Sequence, residues 1–383
     1  MLNKIIIVGG DHHNGLGLAR ILGINGCEVH CMVITDKNKS WIAKSKYVKE
    51  SHLFKKEKDA FDYVIKHYID HHNKSFLIPY SDGAAYELDS RLNEFNSNFF
   101  VPSIKDLQGE IVKMMDKERQ YQFAKENKIF MAKSVLLHLS DVDVNLIEDD
   151  YFPCILKPNM SAQGDKRDIR ICQNRCELKN SISELHNIGY EQILLQQFLE
   201  IDYEIVIVGA LMNNDIVFSA NKVIRTHAKG GTNSFSQTII DEDILEKCQS
   251  ILQKIKGYGF NGLIDVEVFM INEELYLNEI NWRNSGGVFR SISSGFYYPY
   301  WWVEDCLKIC DPAMKKWKPQ DNEFSMTEHG DIRNVLNKKI SLFQWLKDKR
   351  KTKNFALKLK GDMKPAFCRY LYFVRQILFK KKI

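Results

Sequence analysis

The chain opens on a short unbroken apolar run, Ile5-Ile6-Ile7-Val8, ending in Gly9-Gly10, the pattern of a strand buried on both faces of a parallel sheet. A helical period follows from Leu16 to Leu22, and Glu28 to Ile34 returns to a continuous apolar strand, so strand, glycine turn, helix and strand make one βαβ unit. Ala60 to His71 predicts another helix, Ser75 to Pro79 another strand and Ala84 to Phe95 another helix, so the first hundred residues read as a small doubly wound α/β domain. From Pro102 the rhythm changes. Leu107, Ile111, Met114, Met115, Phe123 and Ala124 give Asp106 to Asn127 a helical period. The strands beyond it are antiparallel in character: Cys154 to Lys157, Asp168 to Ile171, Ile193 to Phe198, Tyr203 to Val208, Ile216 to Ala220, Leu263 to Met270 and Leu275 to Ile280. Helices are expected at about 178–188 and 241–257. The division is therefore α/β over 1–101, α+β over 102–312 and a C-terminal extension over 313–383.

Composition narrows the class. With 44% hydrophobic and 27% charged residues the chain is globular rather than disordered. It has no apolar run long enough for a spanning helix, and MLNKIIIVGG is not a secretory leader, so a cytoplasmic protein is expected. Nine cysteines are read as reduced thiols; the pairs Cys27/Cys31, Cys172/Cys176 and Cys306/Cys310 lack the two-residue gap of a zinc knuckle. The net charge of +5 is unevenly spread. Ala313 to Ile383 holds 19 Lys and Arg against 6 Asp and Glu, a net +13, and the residues before it sum to −8.

Candidate chemistry gathers on two strands. Asp265 and Glu267 are two apart, which on a strand gives them one face while Ile264, Val266 and Val268 take the other. Glu279 and Asn281 repeat this on the next strand, after a short turn around Asn272-Glu273. Such an oxygen-rich set suits magnesium, which takes one or two carboxylates and completes its octahedron with phosphate and water. Arg283 falls two positions beyond Asn281, as a fork for phosphate or carboxylate if the extended backbone persists. Lys157 ends an apolar strand, and the small, polar loop Asn159 to Gly164 after it can bring backbone N–H groups close to phosphate. Gln196-Gln197 ends another apolar strand, where an amide can meet a purine edge. Each pattern alone also fits an ordinary solvated hairpin.

Taken in order, these segments resemble the ATP-grasp ligases. The resemblance rests on Lys117 in Met115-Asp-Lys-Glu-Arg, then Phe-Pro-x-Ile-Leu-Lys-Pro with its loop, Leu-Leu-Gln-Gln-Phe-Leu-Glu-x-Asp-Tyr-Glu, Asp-Val-Glu-Val-Phe and Asn-Glu-Ile-Asn-x-Arg, from about Pro102 to Pro312. It implies a Rossmann-like pre-ATP-grasp domain, a two-subdomain ATP-grasp fold and a basic helical extension. It further implies ATP and magnesium as cofactors and a reaction that activates a carboxylate as an acyl phosphate and joins it to an amine, releasing ADP and phosphate. Lys117 and Lys157 would contact the phosphates, with Lys157 also near the adenine, and Ser161 and Gly164 would belong to the closing loop. Gln196 or Gln197 would read the adenine amino group, Phe198 or Leu199 would supply main-chain contacts, and Glu204 would approach the ribose. Glu267, Glu279 and Asn281 would hold the metal, with Asp265 competing for the first place. Lys222 and Arg283 would face the γ-phosphate and the acyl phosphate. Trp282 stands where many members have proline, a feature shared with the subset acting on amino acids and cell-envelope precursors, such as the D-aspartate ligases.

Two other readings stay open. One is a nucleotide-binding ATP-grasp relative without turnover. The other is a nicotinamide-dependent oxidoreductase, suggested by Gly9-Gly10 with Gly15-x-Gly17, though the spacing departs from the dinucleotide fingerprint. Asp11, Asn14 and Ser81-Asp82-Gly83 are candidates for selecting substrates, and His12-His13 for touching one. Pro365 to Ile383 predicts a helix with a broad apolar face edged by Arg369, Arg375 and Lys380 to Lys382. It either packs on the body of the protein or lies on an anionic membrane surface. No nucleic-acid partner is expected, since no binding motif accompanies the charge.

Overall fold

The computed structural model describes residues 4–159, 168–227, 233–309 and 317–378. Ser161 and Gly164 lie outside the described residues. The first stretch forms β1 (Lys4–Gly10), α1 (His13–Ile24), β2 (Glu28–Ile34), β3 (Val48–Phe54), α2 (Glu57–Tyr68), β4 (Ser75–Pro79), α3 (Asp82–Ser90), α4 (Leu92–Phe95), β5 (Phe99–Phe100) and β6 (Ser103–Ile104). Next come α5 (Glu110–Met114), α6 (Lys117–Glu126), β7 (Phe130–Met131), β8 (Ser134–His138), β9 (Cys154–Lys157), β10 (Arg170–Cys172), α7 (Arg175–Asn187) and β11 (Gln192–Gln197). The chain continues through β12 (Tyr203–Leu211), β13 (Ile216–Thr226), β14 (Asn233–Thr238), α8 (Glu242–Gly257), β15 (Phe260–Ile271) and β16 (Glu274–Asn281). It ends with α9 (Tyr298–Cys306), β17 (Phe324–Met326), α10 (Glu328–Leu336), α11 (Leu342–Lys351), β18 (Thr352–Phe355) and α12 (Lys364–Leu378).

Two compact units share these elements: the first holds residues 1–109, 206–265 and 281–383, the second 110–205 and 266–280. In the first unit a parallel sheet runs in the order β3-β2-β1-β4-β5, the doubly wound arrangement that the buried apolar runs predict. Gly9 and Gly15 of this region serve internal packing, because a Cβ at either would lie within 3 Å of the Tyr80 ring. The surface that a dinucleotide would need at these glycines is filled by the protein itself. β14 pairs with β13 and β17, and β17 with β18, so residues of the basic extension continue a sheet. The extension, expected to be helical, thus also holds two strands; β17 is three residues long and β18 four, too short to show a period.

The second unit holds the antiparallel sheet β10-β9-β11-β8 over a core that includes Leu156, Leu178, Leu185, Ile193 and Leu195. The one long helix expected over Asp106 to Asn127 is two helices, α5 and α6. Asp116 between them is extended, with φ −73° and ψ 123°, and its carboxylate accepts from the Arg119 N–H, capping α6.

One face of α12 is packed: Ala366 is buried, and the Tyr370 hydroxyl donates to Glu328 at 2.9 Å. Phe367, Leu371 and Val374 are exposed. Among the described residues no helix is long and apolar enough to cross a membrane.

Candidate functional site

In the second unit the acidic and basic candidates meet. β15 and β16 are joined by Asn272 and Glu273 with φ of 48° and 67°, the left-handed pair that a two-residue hairpin turn requires. The Asp202 carboxylate accepts the Asn272 N–H at 2.9 Å and fixes the turn. Across the hairpin, Nδ2 of Asn278 donates to Oε2 of Glu267 at 3.2 Å. The alternation of β16 slips here, since Leu277 and Ile280 are buried while Asn278 and Glu279 between them are both half-buried. Glu279 reaches the Lys117 ammonium at 3.4 Å.

Lys117 is placed by a latch that the sequence does not advertise. Asn159, two residues beyond Lys157, accepts the Lys117 N–H through its carbonyl at 3.3 Å and the Glu118 N–H through Oδ1 at 3.1 Å, and its amide donates to Asp116. Gln120 ties α6 to β16. Its Oε1 accepts the Ile280 N–H at 2.8 Å, and its Nε2 donates to the Ile280 carbonyl at 3.0 Å and the Met114 carbonyl at 2.9 Å. The first turn of α6 is thereby held against the residue that follows Glu279.

Lys157 is the last residue of β9, paired with Leu194 of β11. Dense protein surroundings lower its ammonium from the ordinary lysine value to about 8, Lys117 adds to the effect, and Glu279 and Glu267 oppose it. Two ammonium groups and two carboxylates thus act on one another within the second unit. Glu267 and Glu279 with the Asn278 amide are an oxygen donor set of the kind that fits magnesium beside phosphate. No short-range pattern marks Asn278, Asn159 or Gln120, because the partners that matter here, Glu267, Glu118 and Ile280, lie between 11 and 160 residues away.

The nucleoside-side candidates occupy β11 and the segment after it. Gln196 is buried and donates to the Ser134 hydroxyl at 2.9 Å, Gln197 donates to the Asp150 carbonyl at 3.1 Å, and the Phe198 N–H donates to the Pro153 carbonyl at 2.9 Å. Leu199 and Glu204 are half-buried.

The first unit holds a second cluster, centred on Arg283. Its Nε donates to Asp82 Oδ1 at 2.9 Å and its Nη2 to Asn281 Oδ1 at 3.2 Å, and Nη1 lies 3.6 Å from Asp265. Asp82 opens α3, whose cap is the Ser81 hydroxyl. Asp265 is buried and also accepts from Ser285. Burial raises its carboxyl above the usual range, and Arg283 and Ser285 pull it back. Asn14 donates to the Tyr80 carbonyl at 3.3 Å, and the Asn284 N–H donates to the Pro79 carbonyl at 3.3 Å. The substrate-selecting candidates Asn14 and Ser81-Asp82-Gly83 are thus built around the end of β4. Lys222 is half-buried on β13, opposite Gln237. Its neighbour Arg225 is committed to Asp331 and Asp348, at 2.8 and 3.0 Å.

Comparison with known proteins relates part of this arrangement to a known domain. Residues 122–290 match the ATP-grasp domain. The chain is 22% identical over 232 residues to a formate-dependent phosphoribosylglycinamide formyltransferase of Tolumonas auensis, covering 55% of this chain and 58% of that protein. Among solved structures it is similar to an L-amino acid ligase from Bacillus licheniformis (TM-score 0.64, 12% identity, 85% of this chain and 79% of that one). It is also similar to an N5-carboxyaminoimidazole ribonucleotide synthetase solved with ADP (TM-score 0.63, 12% identity, 88% and 85%). The chain spans less than two thirds of the length of the curated relative, and at these identities the structural likeness shows the fold alone. Residues 122–290 thus carry the match to the ATP-grasp domain, and the chain as a whole shares the fold of these solved structures.

Proposed function

We propose that the protein is an ATP- and magnesium-dependent ligase that activates a carboxylate as an acyl phosphate and joins it to an amine. The observation that carries this reading is the Lys117, Lys157, Glu267 and Glu279 cluster of the second unit. Lys117 and Lys157 bind the phosphate oxygens of ATP as point charges. Glu267 and Glu279 hold magnesium, which when bound offsets phosphate charge and polarises the γ-phosphorus. Asn281 and Asp265 are further candidate ligands, each already engaged with Arg283 in the first unit. Gln196, Gln197, Phe198, Leu199 and Glu204 are assigned to the nucleoside, and Ser161 and Gly164 to the loop over the phosphates. A substrate carboxylate attacks the γ-phosphorus and ADP leaves; an amine then attacks the acyl carbon, forming the amide and releasing phosphate. Arg283 and Lys222 supply positive charge to the transferring group. Most of this catalysis is positioning and electrostatics, which agrees with a cluster built from hydrogen-bonded lysines and carboxylates.

The test is ADP and phosphate formation from ATP and magnesium across a panel of amino acids, D-aspartate among them, and nucleotide-sugar acids, each with and without amines. Turnover that requires both a carboxylate and an amine is expected. ATP binding without turnover on any pair would favour the noncatalytic reading. For α12 we propose the finer reading that its exposed Phe367, Leu371 and Val374, flanked by cations, rest on an anionic membrane surface. The full chain should then pellet with phosphatidylserine vesicles more than a chain ending at Lys360, and equal pelleting removes the idea.

A further inference from the structure

Four histidines from separated stretches of the chain cluster in the first unit. His12 and His13 follow β1, His227 follows β13, and His329 lies in the first turn of α10. The His13 ring centroid is 3.9 Å from that of His12 and 5.5 Å from that of His329. A Cβ on Gly330 would fall 2.2 Å from the His227 ring, so only a glycine there lets His227 lie against the start of α10.

The surroundings are cationic. Arg369 of α12 acts on His12 and His329, Arg333 on His329, Arg290 on His13 and Arg283 on His12. Asp11, the carboxylate that acts on Arg369, is held by the Ser40 hydroxyl at 2.7 Å. Burial and these charges hold the His13 and His329 imidazoles well below the ordinary histidine range; dense surroundings on its inner side bring His12 down to about 4 against the opposing hydrogen bond of its Nδ1 to Asn14 Oδ1 at 2.6 Å, so the rings are neutral near pH 7 and each carries one N–H, that of His12 being held by Asn14.

Three further observations bear on what this cluster is for. His13 is 2% exposed and His329 8%, and Nδ1 of each, like Nε of Arg369, is a buried nitrogen without a hydrogen-bond partner. Buried polar atoms are ordinarily satisfied, so these three nitrogens call for a partner, which a bound anion or a water would supply. Two helices, α1 and α10, begin here, and neither has a side-chain cap; their N-termini add partial positive charge. His12 meets water, so the cluster is open to solvent. Among the described residues no group of three or more His, Cys, Asp or Glu is arranged to hold a metal ion, so these gathered histidines do not form a metal site of that kind.

We propose that His13, His329 and Arg369, with His12 and His227 lining the same cluster, form a binding site for an oxyanion, the phosphoryl or carboxylate group of a substrate. Only the word substrate rests on the ligase reading; anion binding stands by itself. The site also gives the basic extension a local task, since Arg369 comes from α12.

The experiment titrates the full wild-type chain, labelled with ¹³C in histidine, with inorganic phosphate and separately with acetate, without nucleotide or metal. The resonances of His12, His13 and His329, assigned through single His→Asn variants, should shift saturably with Kd on the order of 1 mM or tighter. Those of His30 and His52, paired with Glu28 and Glu50, should stay in place. R369M and H329Q should each weaken the titration about tenfold or more. If either variant is unfolded by circular dichroism, the wild-type titration alone decides. Tighter phosphate assigns a phosphoryl group and tighter acetate a carboxylate. The proposal is overturned if neither anion shifts these resonances saturably, or if folded R369M and H329Q bind as the wild type does. Loss of ATP turnover with an intact titration would sink the ligase reading and leave this site standing.

Discussion

Glu279→Ala is expected to lower phosphate release from ATP by about a hundredfold or more, the scale on which groups that hold or orient a catalytic ion act. The reason is double. The substitution removes one of the two carboxylates of the second unit's cluster, and it leaves Lys117, 3.4 Å from Glu279 in the wild type, facing Lys157 with one fewer negative charge between them. A second readout follows from the sign of that change. Glu279 raises the Lys157 ammonium toward the ordinary value, against the burial that brings it to about 8. Its loss should therefore lower the pH at which Lys157 gives up its proton, and ATP affinity should fall off at lower pH than in the wild type. Steady-state rates across a magnesium titration, with ATP affinity from pH 6 to 9, measure both. Turnover that stays unchanged at saturating magnesium would remove Glu279 from the metal assignment.

The largest expected effect on stability comes from a different place. Arg20, buried completely in α1, donates through Nε to Asp362 Oδ2 at 2.9 Å and through Nη2 to the carbonyls of Leu357 at 2.9 Å and Asp362 at 2.8 Å. The same Asp362 carboxylate accepts from the Ser45 hydroxyl at 2.7 Å and the Lys46 N–H at 2.9 Å. Asp362→Ala leaves a guanidinium in the interior without its counter-charge, and removing one partner of such a pair costs about 3–5 kcal/mol. Urea denaturation of the variant against the wild type should show that loss. A difference within about 0.5 kcal/mol, the range of ordinary surface substitutions, would mean that the surroundings of Arg20 are wetter than they look.

The alternation of apolar and polar positions was enough to place most strands and helices, because each buried run shows its period within a few residues. Lys157 at the end of β9 and Glu267 and Glu279 on successive strands were legible for the same reason. The break between α5 and α6 was not, although it places Lys117 at a helix start. Its causes are the Asp116 cap and Asn159, whose partners at Asp116, Lys117 and Glu118 lie more than forty residues away. Asn278 escaped notice because perfect alternation along β16 would have turned it away from Glu279. Asp265 and Glu267, two apart on one strand, read as equivalent, yet Asp265 is bound to Ser285 and faces Arg283, while Glu267 is bound to Asn278.

What the sequence determined by itself is the local material: which segments are strands or helices, which carry lysines and carboxylates at their ends, and a family pattern in their order. Those properties depend on neighbours a few positions apart. The tertiary structure alone decided which of these groups meet, how the Tyr80 ring fills the glycine turn, and that the basic extension supplies two strands, a partner for Arg20 and an arginine for the histidine cluster. Contacts between residues hundreds of positions apart are fixed by packing of the whole chain, and no short-range pattern encodes them.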